Sequence, residues 1–229
     1  LVTAVLAVGC AIGCWLLLPE SRGFVPHFDT PVELLRKFGR AFTDPVLVGL
    51  YVIGGLGMGT FVGAFNSLAF RLEQAPYLLS VGAMGLIYFV YPVAGVGSVV
   101  AGRLGSRYSL RAVMPYGPLV AIVGILLMSL THLAWVVLGI AILSVGFFIA
   151  HSLASAWVAQ RASASVGVPA QAMSMYMLVY YAGSSINGNL APLAWELRGW
   201  GGVTLLSLVF MAIAFVIAVA LARTRPLVR

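Results

Sequence analysis

Long apolar segments separated by shorter polar connections make up almost the whole chain. Each segment is close to the roughly 20 residues that an α-helix needs to cross a bilayer. An open strand within lipid would leave its backbone hydrogen-bonding groups unsatisfied, so every segment is expected to be helical. The pattern predicts an all-α polytopic membrane protein with seven transmembrane helices. The spans are predicted at residues 1–18, 46–69, 80–101, 113–131, 134–158, 171–194 and 201–222.

The composition supports a membrane protein rather than a large soluble domain. Only 8% of the 229 residues are charged, whereas a soluble domain has about 25%. The net charge of +7 arises from arginines and lysines in the connections. That placement is typical of orientation signals and not of a nucleic-acid-binding face. Because the chain opens in apolar sequence without an initiator Met, we expect it to be part of a longer protein.

The two cysteines, Cys10 and Cys14, lie one helical turn apart in the first predicted span. That spacing is poor for a disulfide, and two ligands are too few for structural zinc. We interpret them as packing thiols, and the sequence predicts neither a metal site nor a cofactor.

Arginine and lysine residues are distributed unequally between alternate connections. Eleven lie on one side and two, Arg71 and Arg198, lie on the other. By the positive-inside rule, the side with eleven is the cytoplasmic one. We therefore expect an integral protein of a bacterial cytoplasmic (inner) membrane with its C-terminus in the cytoplasm. The eleven are Arg22, Arg36, Lys37, Arg40, Arg103, Arg107, Arg111, Arg161, Arg223, Arg225 and Arg229.

The connection at residues 19–45 contains a predicted amphipathic helix. Thr30 and Glu33 have the spacing of a capping box, and Pro31 suits the first helical position. The apolar residues that follow share a face opposite the charged ones. We expect this helix to lie on the cytoplasmic membrane surface; a helix packed only on protein is the alternative.

The six spans after this connection divide into two triplets that run through the membrane in opposite directions. Residues 64–69, in the first span of one triplet, resemble residues 149–154, in the first span of the other. Inverted repeats of this kind build secondary transporters, with the solute site near the middle of the membrane. The pattern therefore predicts a 3+3 inverted repeat.

Gly55, Gly59 and Gly63 follow one another at a spacing of four residues in the second span. Small residues on one helix face allow two backbones to approach closely. We predict that these glycines pack against another helix. A further interpretation is that such glycine-rich helices bend and slide during transport.

His151 is the one ionisable side chain, apart from tyrosines and cysteines, that falls well inside a predicted span. Ser155 lies four residues later, on the same helix face. Titratable groups at membrane depth are costly and usually face a polar interior or a water path. This face therefore indicates a cavity; the alternative for His151 is a neutral, hydrogen-bonded packing residue.

Hydroxyl and amide side chains elsewhere in the spans also need polar partners. We predict that they line a solute cavity together with His151, and an interhelical hydrogen bond is the alternative for each. Aromatic, amide and hydroxyl groups without carboxylates suit a neutral, cationic or amphiphilic organic solute better than a metal ion. The predicted cavity-lining residues are Asn66, Tyr88, Tyr91, His151, Ser155, Tyr180 and Asn187.

All six acidic residues lie at or beyond the ends of spans. If transport is coupled to protons, the titrating group is either His151 or a carboxylate outside this sequence. A hydrolase built on Ser152 and His151 is disfavoured, because adjacent helical residues do not face each other. A buried carboxylate that would orient the imidazole is also missing from the spans. We expect a protein that is not an enzyme.

The connection at 102–111 resembles the loop signature of the major facilitator superfamily, Gly-x-Leu-x-Asp-Arg-x-Gly-Arg-Arg/Lys. Ser106 stands where the family has Asp, and Ser109 where it has Gly, which weakens the case for the family's ionic latch. Other short strings resemble the sugar- and drug-efflux (drug:proton antiporter-like) branch. The residues that match the loop signature are Gly102, Leu104, Arg107 and Arg111.

The resemblance covers essentially the whole chain and implies the second half of a twelve-helix transporter. Residues 1–18 would be the last helix of the N-terminal half, and 19–45 the central cytoplasmic loop. Residues 46–222 would form the C-terminal six-helix domain, and 223–229 a cytoplasmic tail. The five preceding helices of the same protein would be a required partner, because the solute cavity would lie between the two halves.

The resemblance also implies secondary active transport of a small organic solute by alternating access in a lipid bilayer. Proton-coupled efflux by an antiporter is the first hypothesis. The alternatives are a metabolite importer or a proton-independent exchanger of the same fold. In each case this chain would supply one wall of the cavity.

Overall fold

The computed structural model describes residues 2–17 and 29–224. Within these ranges the regular structure is helical throughout, which confirms the all-α fold class. The described residues divide into two compact units, with the boundary between Leu34 and Leu35. The α-helices are α1 (Val2–Leu17), α2 (Pro31–Arg40), α3 (Pro45–Glu73), α4 (Val81–Tyr88), α5 (Ala94–Tyr108), α6 (Leu110–Val113), α7 (Tyr116–Met128), α8 (Leu133–Ser165) and α9 (Pro169–Ala222).

The first unit contains α1 and the start of α2. Cys10 and Cys14 are free cysteines, and both are exposed on α1. The predicted capping box is confirmed. The Thr30 backbone N–H donates to the Glu33 carboxylate at 2.8 Å, and the Glu33 N–H donates to the Thr30 hydroxyl at 3.3 Å. Three of the eleven basic residues predicted to be cytoplasmic, Arg22, Arg225 and Arg229, lie outside the described residues.

Five stretches of the described chain are long and apolar enough to cross a membrane. The last of them, α9, contains 54 residues and includes two predicted spans. Its backbone leaves the helical region at Arg198 and at Gly199, where φ is 56° and ψ is −148°. Glycine adopts this positive φ without a clash from a Cβ atom. We call residues 169–197 the first segment of α9 and residues 200–222 its second segment.

Contacts with α3 show that the two segments of α9 run in opposite directions. A Cβ atom added at Gly54 would lie 2.5 Å from the Tyr176 ring, and one at Gly63 would lie 3.1 Å from the Ala191 side chain. A later residue of α3 thus contacts a later residue of α9, so the first segment of α9 runs parallel to α3. The chain then reverses at Gly199, as the seven-span prediction requires.

The second segment returns antiparallel to α3. The Arg71 guanidinium, near the end of α3, lies 4.7 Å from the centroid of the Trp200 ring. At the start of α3, a Cβ atom added at Gly49 would lie 3.2 Å from the Leu221 side chain. The α9 hairpin therefore packs along most of the length of α3.

Two helix contacts are related as the inverted repeat predicts. In the first, α3 packs on the first segment of α9, where a Cβ atom at Gly59 would lie 2.7 Å from the Gly183 carbonyl. In the second, α8 packs on α5, where a Cβ atom at Gly97 would lie 2.5 Å from the Val145 carbonyl. Each contact joins the first span of one triplet to the second span of the other. The helices of the second unit thus have the arrangement of a 3+3 inverted repeat.

An ion pair joins the start of α3 to the end of α8. The Arg161 guanidinium donates to the Asp44 carboxylate at 2.6 Å, and Asp44 also caps α3 by accepting from the Val46 N–H at 2.9 Å. Burial would raise the pKa of Asp44, but hydrogen bonds from Arg161, Ser165 and Val46 and the charge of Arg161 outweigh it. The net effect is that the pKa of Asp44 is lowered.

Arg71 holds the opposite end of the unit together. Its guanidinium donates to the Met128 carbonyl, to the Leu130 carbonyl at 2.7 Å and to the Tyr77 hydroxyl at 3.1 Å. The Arg71 side chain also contacts the Trp200 ring. It therefore links three places: the loop after α3, the turn between α7 and α8, and the reversal within α9.

We expect Gly183→Ala to destabilise the helix bundle, because the added methyl group would meet the Gly55 backbone. Overpacking of this kind typically costs about 1–3 kcal/mol. Thermal unfolding of the purified full-length protein measures the effect. Gly188→Ala is the matched control, since a Cβ atom there meets nothing within 4 Å. Equal melting temperatures for the two variants would show that the helices do not approach closely at Gly183.

We expect Asp44→Asn to lower the unfolding free energy by on the order of 3 kcal/mol at neutral pH, because it leaves the Arg161 charge without its partner. The pKa of Asp44 is lowered in the folded protein, so its stabilising effect is present at neutral pH. That effect is lost as the pH falls below the ordinary carboxylate range, about 4, and through the lowered folded pKa.

Thermal unfolding of wild type and variant between pH 7 and pH 3 tests this prediction, and their difference should shrink as the medium becomes acidic. The double variant Asp44→Asn/Arg161→Gln should lose less stability than the two single effects combined. A difference that does not change with pH would contradict the role of the ion pair.

Candidate functional site

His151 lies in the middle of α8 and forms a hydrogen bond with α9. Its Nδ1 atom is 2.9 Å from the hydroxyl of Tyr176, which is fully buried. The tyrosine ring fits there because Gly54 of α3 has no side chain to occupy the same space. Tyr176 can donate to Nδ1 when the imidazole proton is on Nε2, or accept from Nδ1 in the other tautomer.

This hydrogen-bonded pair belongs to a continuous set of aromatic ring contacts. The Phe147 ring stacks on the His151 ring at a centroid distance of 5.9 Å, and the Tyr180 ring lies 4.9 Å from it. Phe147 in turn stacks on Phe61 of α3 at 4.6 Å. We call the whole set the aromatic cluster. Its members are Phe61, Phe65, Tyr88, Tyr91, Phe147, Phe148, His151, Tyr176, Tyr180 and Tyr181.

A break between α4 and α5 positions two of these rings. Pro92 has no N–H to donate, and the chain forms a short 3₁₀ turn at Tyr91–Val93. The Tyr88 hydroxyl donates to the Phe65 carbonyl at 3.2 Å. The Tyr91 ring lies edge-on to Phe148 at 6.0 Å.

The aromatic cluster extends from the interior to the surface of the unit. Tyr176 and Phe61 are buried, whereas Tyr91 is 47% exposed and Tyr181 is 61% exposed. Aromatic side chains carry an apolar face, and tyrosine adds a hydroxyl that can bind a polar group. The arrangement can therefore bind an organic molecule from the exposed side and has a hydrogen-bonded imidazole at its inner end.

The structure brings together four of the seven residues predicted to line a cavity: His151, Tyr180, Tyr88 and Tyr91. Ser155 is half-buried one turn after His151, and its hydroxyl donates to the Ser152 carbonyl at 3.2 Å.

Asn66 and Asn187 occupy other positions. Asn66 is exposed on α3. Asn187 is fully buried, and its amide donates to the Gly59 carbonyl at 2.6 Å, within the contact between α3 and the first segment of α9. The structure therefore does not bring Asn187 into the aromatic cluster.

The list of predicted cavity-lining residues does not include the other six members of the aromatic cluster, which are Phe61, Phe65, Phe147, Phe148, Tyr176 and Tyr181. The phenylalanines are indistinguishable from other apolar residues in a hydrophobic span. Tyr176 carried a usable signal, because it lies one helical turn before Tyr180 on the same face.

The residues of the loop signature lie where α5 meets α6. Arg111 donates to the Thr224 carbonyl at 2.9 Å, and the Arg107 guanidinium lies 5.3 Å from the centroid of the Tyr108 ring. Gly102 and Leu104 belong to the last two turns of α5. Ser109 turns the chain with a φ of 87°, a conformation that favours glycine, and it stands where the family signature has Gly.

The long apolar helices define an integral membrane protein. The Major Facilitator Superfamily model matches residues 1–188. The chain is 36% identical over 225 residues to "Inner membrane transport protein YnfM" of Escherichia coli, covering 96% of this chain and 53% of that protein. It is 34% identical over 207 residues to "Uncharacterized MFS-type transporter YybF" of Bacillus subtilis, covering 90% and 50%.

A third relative, an "Uncharacterized transporter" of Buchnera aphidicola, is 30% identical over 204 residues, covering 89% of this chain and 49% of that protein. The chain thus spans about half the length of the curated relatives it matches. The chain belongs to the major facilitator superfamily, a family of transporters and not of enzymes.

We expect Ser109→Gly to stabilise the protein by about 1 kcal/mol, because a non-glycine residue at this positive φ is strained. The melting temperature of the full-length protein measures this gain. Ser106→Gly, in the regular part of α5, is the control and should destabilise. A loss of stability in Ser109→Gly would show that the turn is not strained.

Proposed function

We propose that the full-length protein carries out secondary active transport of a small organic solute by alternating access, and that the aromatic cluster forms one wall of its solute cavity. The observation that carries this proposal is the graded exposure of the cluster, from the buried Tyr176 to the exposed Tyr91 and Tyr181. The names of the relatives, which describe transporters, support it. The opposite wall would come from the N-terminal helices of the same protein.

The chemistry of the cluster favours a neutral, cationic or amphiphilic organic solute. Ring faces attract apolar groups and cations, and the hydroxyls of Tyr91, Tyr180 and Tyr181 offer hydrogen bonds. Among the described residues, the cluster contains no carboxylate that would hold a metal ion or repel an electron-rich solute. A few polar groups on a mainly apolar wall are typical of sites for organic ligands.

Proton-coupled efflux is the transport mode we propose. Imidazole is the side chain that titrates near neutral pH, and His151 is held by Tyr176 at the inner end of the cluster. Protonation of His151 would place a positive charge beside the solute and favour release of a cationic one. Import of a metabolite, or exchange without protons, is the alternative use of the same fold.

The proposed orientation places the end with Asp44 and Arg161 in the cytoplasm of a bacterial cell. Arg40 and Arg111 lie at that end too, since they donate to the carbonyls of Val166 and Thr224. Cations near the cytoplasmic headgroups agree with the positive-inside rule. The C-terminus and the amphipathic helix α2 would then both be cytoplasmic, with α2 on the membrane surface.

We propose that the loop of Gly102, Leu104, Arg107 and Arg111 works as a conformational element in alternating access. The Ser106 hydroxyl of this loop donates to the Arg103 carbonyl at 2.9 Å, which is a hydrogen bond within α5 itself. A serine there cannot form the ion pair that an aspartate would form. Any latch at this loop therefore depends on hydrogen bonds such as that of Arg111.

We expect His151→Ala to abolish proton-linked solute flux in liposomes containing the full-length protein. Tyr176→Phe should weaken the flux about tenfold, because it removes one hydrogen bond to the imidazole, worth on the order of 1 kcal/mol. Tyr176→Phe keeps the ring and removes only the hydroxyl. His132→Ala is the matched control, because His132 caps the start of α8 away from the cluster. Unchanged coupling and solute affinity in His151→Ala would reduce His151 to a packing residue.

A further inference from the structure

A cavity lies at the end of the unit that carries the Asp44–Arg161 ion pair. Its volume is about 540 Å³, and it is bounded by the end of α5, the start of α6 and the last turns of α8. None of the residues of the aromatic cluster lines it. The cavity is therefore separate from the proposed solute wall. A ligand for this cavity does not depend on the proposed transport function.

Two arginines from different helices line this cavity. Arg111, at the start of α6, uses Nη1 to bind the Thr224 carbonyl, and Arg161, on α8, uses Nε and Nη2 to bind Asp44. Within the described chain, the remaining guanidinium N–H groups of both side chains have no hydrogen-bond acceptor in the protein. Both arginines are half-buried, so their positions are set by the surrounding helices.

The rest of the polar lining consists of neutral groups. Ser98 and Ser152 are joined by a hydrogen bond of 3.0 Å, and Ser109 and Gln160 add further hydroxyl and amide groups. Of the described residues that line the cavity, none is acidic. Two arginine charges against the single neighbouring carboxylate of Asp44 leave the site with an excess of positive charge.

We propose that this cavity binds a phosphate-bearing anion. The planar guanidinium of arginine matches the geometry of phosphate oxygens, and charge-assisted hydrogen bonds are stronger than neutral ones. Serine hydroxyls and the Gln160 amide would donate to the remaining oxygens. The phosphate would belong either to a soluble phosphate or phosphomonoester, or to the headgroup of an anionic lipid.

Thermal unfolding of the purified full-length protein tests the proposal. The first arm adds inorganic phosphate in an uncharged detergent at constant ionic strength. The second arm compares nanodiscs of phosphatidylcholine with nanodiscs that also contain phosphatidylglycerol. A saturable rise in melting temperature with phosphate identifies a soluble anion, and a rise only with phosphatidylglycerol identifies a lipid headgroup.

Arg111→Gln should weaken the binding about tenfold or more, because it removes charge-assisted hydrogen bonds. Arg103→Gln is the matched control, since it removes the same charge from the exposed surface of α5 outside the cavity. Equal weakening by the two variants would show that the anion responds only to the general basic surface, and would overturn the proposal.

Gly102→Leu provides a second variant that changes no charge. A Cβ atom at Gly102 meets nothing within 4 Å, and Gly102 lines the cavity, so the side chain of a leucine there would occupy cavity space. The variant should keep its melting temperature without anion and lose the rise with anion. Retained binding in this variant, or no saturable effect in either arm for wild type, would overturn the site.

Discussion

The close approach of α3 to the first segment of α9 is the contact on which the rest of the structure depends. Lipid provides no hydrophobic force between helices, so tight packing and interhelical hydrogen bonds must hold them together. Gly55, Gly59 and Gly183 allow backbone-to-backbone contact, and Gly54 leaves the space that the Tyr176 ring fills. The glycines of α3 therefore have two effects: they allow the helices to pack closely, and they leave room for Tyr176 to reach His151.

Polar contacts at the two ends of the unit hold this packing in register. At one end Asp44 is both the cap of α3 and the partner of Arg161, so the start of one triplet is tied to the first helix of the other. At the opposite end, Arg71 donates to the Leu130 carbonyl in the α7–α8 turn and contacts the Trp200 ring at the α9 reversal. Between the ends, the helix contacts combine small residues with interhelical hydrogen bonds, such as those of Asn187 with Gly59 and of His151 with Tyr176.

The aromatic cluster and the cavity lined by Arg111 and Arg161 offer different chemical groups to a ligand. The cluster offers ring faces, hydroxyls and one imidazole, while the cavity offers guanidinium groups and serines. Ser152 lines the cavity and directly follows His151 on α8, so one helix contributes to both sites.

The sequence by itself determined that the chain consists of apolar helical spans, that it reverses between the last two of them, and that Thr30 and Glu33 form the capping box of α2. Length, hydropathy and local hydrogen bonding are properties of neighbouring residues, so they can be predicted without the tertiary structure. The sequence also carried the family signature, including the Ser109 position that proves to have a positive φ. Only the tertiary structure decided the partners. Periodicity shows which face of a helix is unusual but not which helix it meets. The pairing of His151 with Tyr176, the separation of Asn187 from the aromatic cluster and the cavity between Arg111 and Arg161 all join residues distant in the chain.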